Sequence, residues 1–206
     1  MVGGLWVNQD NMTLQYGTQK ALPEQGGDYL SYGETREIEV TIPDMTALTT
    51  LPLIQSFTTF FPEVNGTQYI MVEEVKTYTD VAVTGTSAVL SVGLGYIGAS
   101  PTYSTVTQSI NGTTWVSTQP SVTALSNTAF INAMPTTALA TLGSVNVLNL
   151  TAGSLSTYGG GYIGNAITLP AAAHKSYVTA LYATAAFTAG AIRVRIRYRA
   201  YNVISQ

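Results

Sequence analysis

Four arginines at alternate positions, Arg193, Arg195, Arg197 and Arg199, make the densest row of charge in this sequence. Guanidinium groups so spaced bind phosphate or carboxylate oxygens, or are left to solvent. Catalysis would need other groups beside them. The sole histidine, His174, stands in Ala-Ala-Ala-His-Lys with no Gly-x-Ser-x-Gly elbow and no cysteine anywhere, so it is read as structural. Glu37, Glu39, Glu73 and Glu74 offer carboxylate pairs of the kind that hydrolyse glycosides. Adjacent strand residues point to opposite faces, so Glu73 and Glu74 cannot act together unless a bulge intervenes. Asp10, Asp28, Asp44 and Asp80 are isolated from one another and suggest no metal site. Residues 93–98, Gly-Leu-Gly-Tyr-Ile-Gly, match the dinucleotide fingerprint letter for letter. That fingerprint works only where a helix begins, and Ala-Ser-Pro-Thr-Tyr-Ser-Thr follows instead. These glycines are expected to end a strand and shape a loop. The expectation is a protein that is not an enzyme, with no cofactor and no metal.

Composition narrows the classes further. Only 9% of the 206 residues are charged, against about 25% in ordinary soluble domains. Hydroxyl and amide side chains supply the polarity, and a surface so close to neutral favours association with neighbours. The formal charge of −3 gives no general attraction to nucleic acid, and the N-terminal region carries a single lysine, Lys20. Nucleic acid is therefore not expected as a partner, and with no apolar stretch near the ~20 residues a span requires, neither is a membrane. The opening Met-Val-Gly-Gly-Leu-Trp-Val-Asn-Gln-Asp lacks the basic flank and apolar core of a secretion signal. The sequons at Asn11, Asn65, Asn111 and Asn149 are read as chance matches in a threonine-rich chain.

The elements that must position the arginines read as strands. In residues 192–199, Ile192, Val194, Ile196 and Tyr198 alternate with the four arginines, so one face is apolar and the other cationic. Residues 36–42 alternate likewise, with Arg36, Ile38, Val40 and Ile42 on one face and Glu37, Glu39 and Thr41 on the other. Further strands are expected over 69–78, 88–94, 145–150 and 162–169, with tight turns at Asn65-Gly66 and Asn111-Gly112. Residues 51–61, between Pro52 and Pro62, suit a loop or short strand. Residues 177–187 are Ala-rich, yet their Tyr, Val, Thr and Phe content and the Thr188-Ala189-Gly190 break favour a hairpin. Residues 121–142 are the one region where a helical turn is expected, limited by Pro135. About eight strands so spaced predict an all-β chain, a β-sandwich or jelly roll over 34–206. Residues 1–33, with Trp6, Leu14, Tyr16 and Tyr29 as scattered anchors, are expected to form an extended N-terminal arm that orders against a partner or drapes over its own domain.

Two segments at the ends of the domain carry a resemblance. Residues 26–42, Gly-Gly-Asp-Tyr-Leu-Ser-Tyr-Gly-Glu-Thr-Arg-Glu-Ile-Glu-Val-Thr-Ile, and 187–198, Phe-Thr-Ala-Gly-Ala-Ile-Arg-Val-Arg-Ile-Arg-Tyr, resemble the capsid decoration, or cement, proteins of tailed bacteriophages. Residues 89–94, Val-Leu-Ser-Val-Gly-Leu, are similar to a central strand of that family. The likeness covers about a quarter of the chain. The four arginines and the long Ser/Thr-rich middle depart from the family's pattern. What the resemblance implies is a virion protein on the capsid exterior, a jelly-roll subunit usually bound as a homotrimer, with the major capsid protein as its partner. Trp6, Leu14, Tyr16 and Tyr29 become candidate capsid-contact residues. In a jelly roll the first and last strands are typically neighbours, which would set Glu37 and Glu39 beside two or more of Arg193, Arg195, Arg197 and Arg199 as inter-strand or inter-subunit ion pairs. Thirteen tyrosines and two tryptophans leave a receptor- or carbohydrate-binding head-fibre or tail domain as the alternative, and a self-assembling coat as a third.

Overall fold

A computed structural model describes residues 29–61, 68–110, 113–168 and 175–204. The strands follow in chain order: β1 (Tyr29–Ile42), β2 (Leu53–Ile54), β3 (Phe60–Phe61), β4 (Gln68–Thr84), β5 (Val89–Ile97), β6 (Tyr103–Ile110), β7 (Thr113–Pro120), β8 (Val122–Pro135), β9 (Val145–Thr151), β10 (Ser154–Leu155), β11 (Ala166–Thr168), β12 (Ser176–Ala183) and β13 (Ala189–Ile204). All their pairings are antiparallel.

The topology is one long hairpin rolled up. Outer strands pair with outer strands (β1 with β13, β2 and β3 with β12), and inner with inner (β4 with β9, β5 with β8). Rolling then lays β13 on β4 and β12 on β5. One sheet runs β1-β13-β4-β9-β10, with β11 also on β4, and the other runs β2-β12-β5-β8, with β3 on β12. This is the jelly roll expected from the strand spacing. The β6–β7 pair stands as a separate two-stranded ribbon, between β5 and β8 in chain order, and the turn expected at Asn111-Gly112 lies outside the described residues.

Period-two alternation builds the core. Ile38, Val40 and Ile42 of β1 and Ile192, Val194, Ile196 and Tyr198 of β13 all face inward and are buried. Leu90, Val92 and Leu94 of β5, with Val178 and Ala180 of β12, meet them from the second sheet in one cluster. Phe61 joins the layers, stacked on Phe130 at 5.9 Å and edge-on to Tyr198 at 4.9 Å between centroids.

Three expectations are corrected. Residues 122–135 form strand β8 rather than a helical turn, because Ala129, Phe130, Ile131 and Met134 are buried against the core and packing overrides local propensity. The helical turn in this region is a short 3-10 turn, Thr136–Ala138, after Pro135. Gly93 and Gly95 lie inside β5 rather than at its end. A Cβ on Gly93 would collide with the backbone of Ser126 and Asn127, where β8 crosses over the strand. Among the described residues of the strand expected over 162–169, only Ala166–Thr168 is one. The chain before it straps the two sheets together, with Gly159 bridging Ile131 and Ile163 bridging Val72. Its backbone also bonds β8 through Gly160 N to Phe130 O and Tyr162 N to Ala129 O, covering that sheet's edge.

Since backbone cannot yield as a side-chain tip can, Gly93→Ala is expected to destabilise the fold by about 3 kcal/mol. Urea denaturation measures it, and a loss under about 1 kcal/mol would mean that β8 can move aside.

Candidate functional site

The outer face of the six-stranded sheet gathers most of the chain's charge. Its centre is β13, hydrogen-bonded to β1 on one edge and β4 on the other. Arg193, Arg195, Arg197 and Arg199 stand on this face in a row, because Ile192, Val194, Ile196 and Tyr198 take the opposite one.

On the β1 side, register sets Glu39 opposite Arg195 and Glu37 opposite Arg197. Arg195 donates from Nε and Nη2 to Glu39 Oε2 at 3.2 and 3.1 Å, and its Nε lies 3.4 Å from Glu37 Oε1. Glu39 also reaches Arg193, at 3.5 Å.

On the β4 side the carboxylates arrive through irregularities. Arg197 pairs with Glu74 while the next residue, Tyr198, pairs with Val72, so Glu73 is an extra residue. The bulge turns Glu73 and Glu74 to the same face, flanked by the buried Val72 and Val75. Arg197 contacts both, at 3.3 and 3.5 Å. Arg199 Nε lies 2.7 Å from Glu73 Oε1. A second irregularity sets Val81 opposite Ala191 and Thr79 opposite Ile192, which leaves Asp80 between them. Asp80 accepts a bidentate pair from Arg193, Nε to Oδ2 at 2.8 Å and Nη2 to Oδ1 at 3.0 Å. Lys76 completes the set at 3.0 Å from Glu74. Tyr78 lies beneath Arg193 and Arg195, whose Cζ atoms are 5.2 and 5.3 Å from its ring centroid.

Among the described residues, five cations thus pair with five carboxylates, and the face is neutral as a whole. The Asp80 hydrogen bonds raise the pKa of Arg193 further above its already high range, and those of Glu39 do the same for Arg195. Both stay charged at any pH the fold survives. Arg36 belongs to the opposite row, across from Tyr198. Burial pushes the Tyr198 hydroxyl pKa up, and the Arg36 guanidinium hydrogen-bonded to it offsets part of that rise.

The structure brings together the six residues expected to pair, Glu37, Glu39 and the four arginines, and adds Glu73, Glu74, Lys76 and Asp80. A signal was present: inward positions run Ile70, Val72, then Val75, Thr77, Thr79, a change of parity at Glu73-Glu74. Trp6, Leu14, Tyr16 and His174 lie outside the described residues. Tyr29 opens β1 opposite Ile204, so residues 29–33 of the expected arm are strand. Among the described residues no group of three or more His, Cys, Asp or Glu side chains could hold a metal ion. The remaining aromatic cluster sets Phe57 and Phe60 edge-on to Tyr177, with Lys175 Nζ 4.5 Å over the Phe60 ring.

Fold and site together define a jelly roll with one self-neutralising, ion-paired face. No protein-family model matches the chain, and no curated protein matches it. It is distantly similar to a chain in the capsid of Ralstonia phage GP4, at 16% identity and a TM-score of 0.41, over 85% of this chain and 87% of that one. Chains in the T13 particle of IBDV and in the Gt strain of infectious bursal disease virus show 14% and 15% identity, with TM-scores of 0.26 and 0.20. These matches cover 85% and 88% of this chain but only 37% and 36% of theirs.

Glu73 bridges two arginines and is largely shielded, whereas the more exposed Glu37 touches Arg195 alone. Glu73→Ala should therefore cost about 1 kcal/mol, and Glu37→Ala no measurable stability, in paired urea titrations. Equal effects would refute the bulge geometry. A second expectation concerns alkali. A phenol with a raised pKa holds its proton more tightly folded than unfolded, so its contribution is full below about pH 10. It is lost as pH climbs from there through the folded value. The urea midpoint should fall in that window, and Tyr198→Phe should flatten the fall.

Proposed function

We propose that the protein is a capsid decoration, or cement, protein of a tailed bacteriophage. In this reading it sits on the exterior of the virion as a homotrimer, binds the major capsid protein and stabilises the shell. One observation carries the proposal. Of the two end segments that resemble that family, residues 29–42 and 189–198 fall on β1 and β13, which pair side by side in one sheet. The resemblance thus belongs to a contiguous structural unit rather than to two unrelated stretches. The third segment, 89–94, lies in β5 of the facing sheet.

The electrostatics support the same reading. A row of four arginines invites a nucleic-acid partner, yet each of these guanidiniums contacts a carboxylate of its own chain. Phosphate would have to displace those carboxylates before any counterion was released, which removes the usual gain of such binding. The rest of the surface is hydroxyl-rich and sparsely charged, suited to packing against other protein. Residues 1–28 precede the first strand and would provide an attachment tether, with Trp6, Leu14 and Tyr16 as its apolar anchors. Subunits that bind only the assembled shell stabilise it by mass action.

Purified protein should co-sediment saturably with heads of the encoding phage that lack it, and should raise the temperature at which those heads break open. A chain lacking residues 1–28 should keep its β-sheet circular dichroism but lose attachment. Failure of the full chain to co-sediment would reject the proposal, and full attachment by the truncated chain would remove the tether from it.

A further inference from the structure

The ion pairs of the outer face form two separate chains. One runs Glu37–Arg195–Glu39–Arg193–Asp80, with three carboxylates and two guanidiniums, a net charge of −1. The other runs Arg199–Glu73–Arg197–Glu74–Lys76, with three cations and two carboxylates, a net charge of +1. The negative chain draws two of its carboxylates from β1, and the positive chain both of its carboxylates from β4, on the two sides of β13. The two chains also meet β13 at different levels, the negative through Arg193 and Arg195 and the positive through Arg197 and Arg199, so the face is neutral in sum and polarised along the strand.

Beside the positive chain lies exposed apolar surface. Val147 stands opposite Lys76 and Val145 opposite Tyr78, on the same outer face, 45% and 50% exposed. Leu142, in the turn whose Gly143 N–H bonds Thr79 O, and Val81 extend the exposed strip toward Asp80.

We propose that this face is where copies of the chain meet, the net-negative chain of one copy set against the net-positive chain of the next. The proposal rests on the homo-oligomeric part of the function inferred above. Setting the negative patch of one copy against the positive patch of the next is a heterologous contact, the kind that forms a ring where its rotation closes. The charges set register and exclude wrong orientations, while the valine strip supplies apolar area to be buried. A phosphate-bearing or anionic partner fits less well, since the face offers it no net positive charge.

Charge reversal tests this directly. Lys76→Glu turns the positive chain into one of net charge −1, and Asp80→Lys turns the negative chain into one of +1, so each variant presents two like-signed patches. Each variant alone should self-associate about tenfold more weakly or worse in sedimentation equilibrium at low ionic strength. An equimolar mixture should recover association in part, because two of the three contacts in a mixed trimeric ring then join opposite signs. Damage confined to one subunit would not be cured by mixing. Circular dichroism checks folding, and Lys76→Gln with Asp80→Asn, which bring one chain each to neutrality, replace any reversal that does not fold. Restored association in the mixture supports the proposal. A monomeric wild type, single variants that associate normally, or a mixture that stays monomeric each overturn it. Head co-sedimentation is scored separately: a monomeric wild type that still binds heads overturns this contact alone, and an associating protein that ignores heads overturns only the cement reading.

Discussion

Strand β13 is hydrogen-bonded along both edges, and its own side chains set the condition under which that can happen. Guanidiniums at alternate strand positions stand roughly 6.8 Å apart, close enough to repel one another at the surface of a sheet. The strand can occupy the middle of the sheet only if its neighbours bring carboxylates to the same face. β1 does so by simple alternation, through Glu37 and Glu39. β4 does so by breaking alternation, since Glu73 and Asp80 are the residues its pairing with β13 passes over. The irregularities of β4 are thus a requirement of the charge pattern on β13. They also explain how one strand of 17 residues follows a twisted partner without exposing Val72, Val75 or Val83.

This arrangement separates two roles within single strands. The inward rows of β1, β4 and β13 make the core that holds the sandwich closed, and the outward rows make a surface that is charged in detail and neutral in sum. The chain's formal charge of −3 consequently comes from residues other than these ten paired groups. Exposed ion pairs of this kind contribute little stability one at a time. Their larger effect is on which surfaces can approach one another and in what orientation.

What was legible in the sequence was whatever depended on strict period two. The faces of residues 36–42 and 192–199 and the strand nature of 177–183 follow from alternation and strand composition alone, and with them the jelly roll. What was not legible depended on long-range contact. Residues 122–135 carry helix-tolerant Ala, Leu and Asn, and only the apolar surface of β5 makes them a strand. Gly93 resembled a loop glycine because nothing local shows that β8 will cross above it. In the ion-paired face, the acidic partners on β1 followed from topology. Those on β4 needed a bulge, whose trace in the sequence is the shift of buried positions from Val72 to Val75.

Pairing the first strand with the last has a temporal consequence. The carboxylates of the face, at positions 37 to 80, are all synthesised before its arginines at positions 193 to 199. During translation the growing chain is therefore markedly acidic and lacks the central strand of one sheet. The inward valines and isoleucines of β1 and β4 have no β13 to pack beside until residues 189–204 have been made. Such high-contact-order closure is slow, and aggregation is the hazard while it waits. The unpaired acidic residues supply a safeguard for that interval: mutual repulsion keeps the nascent edges of β1 and β4 from pairing with those of other chains, and the final strand cancels it on arrival.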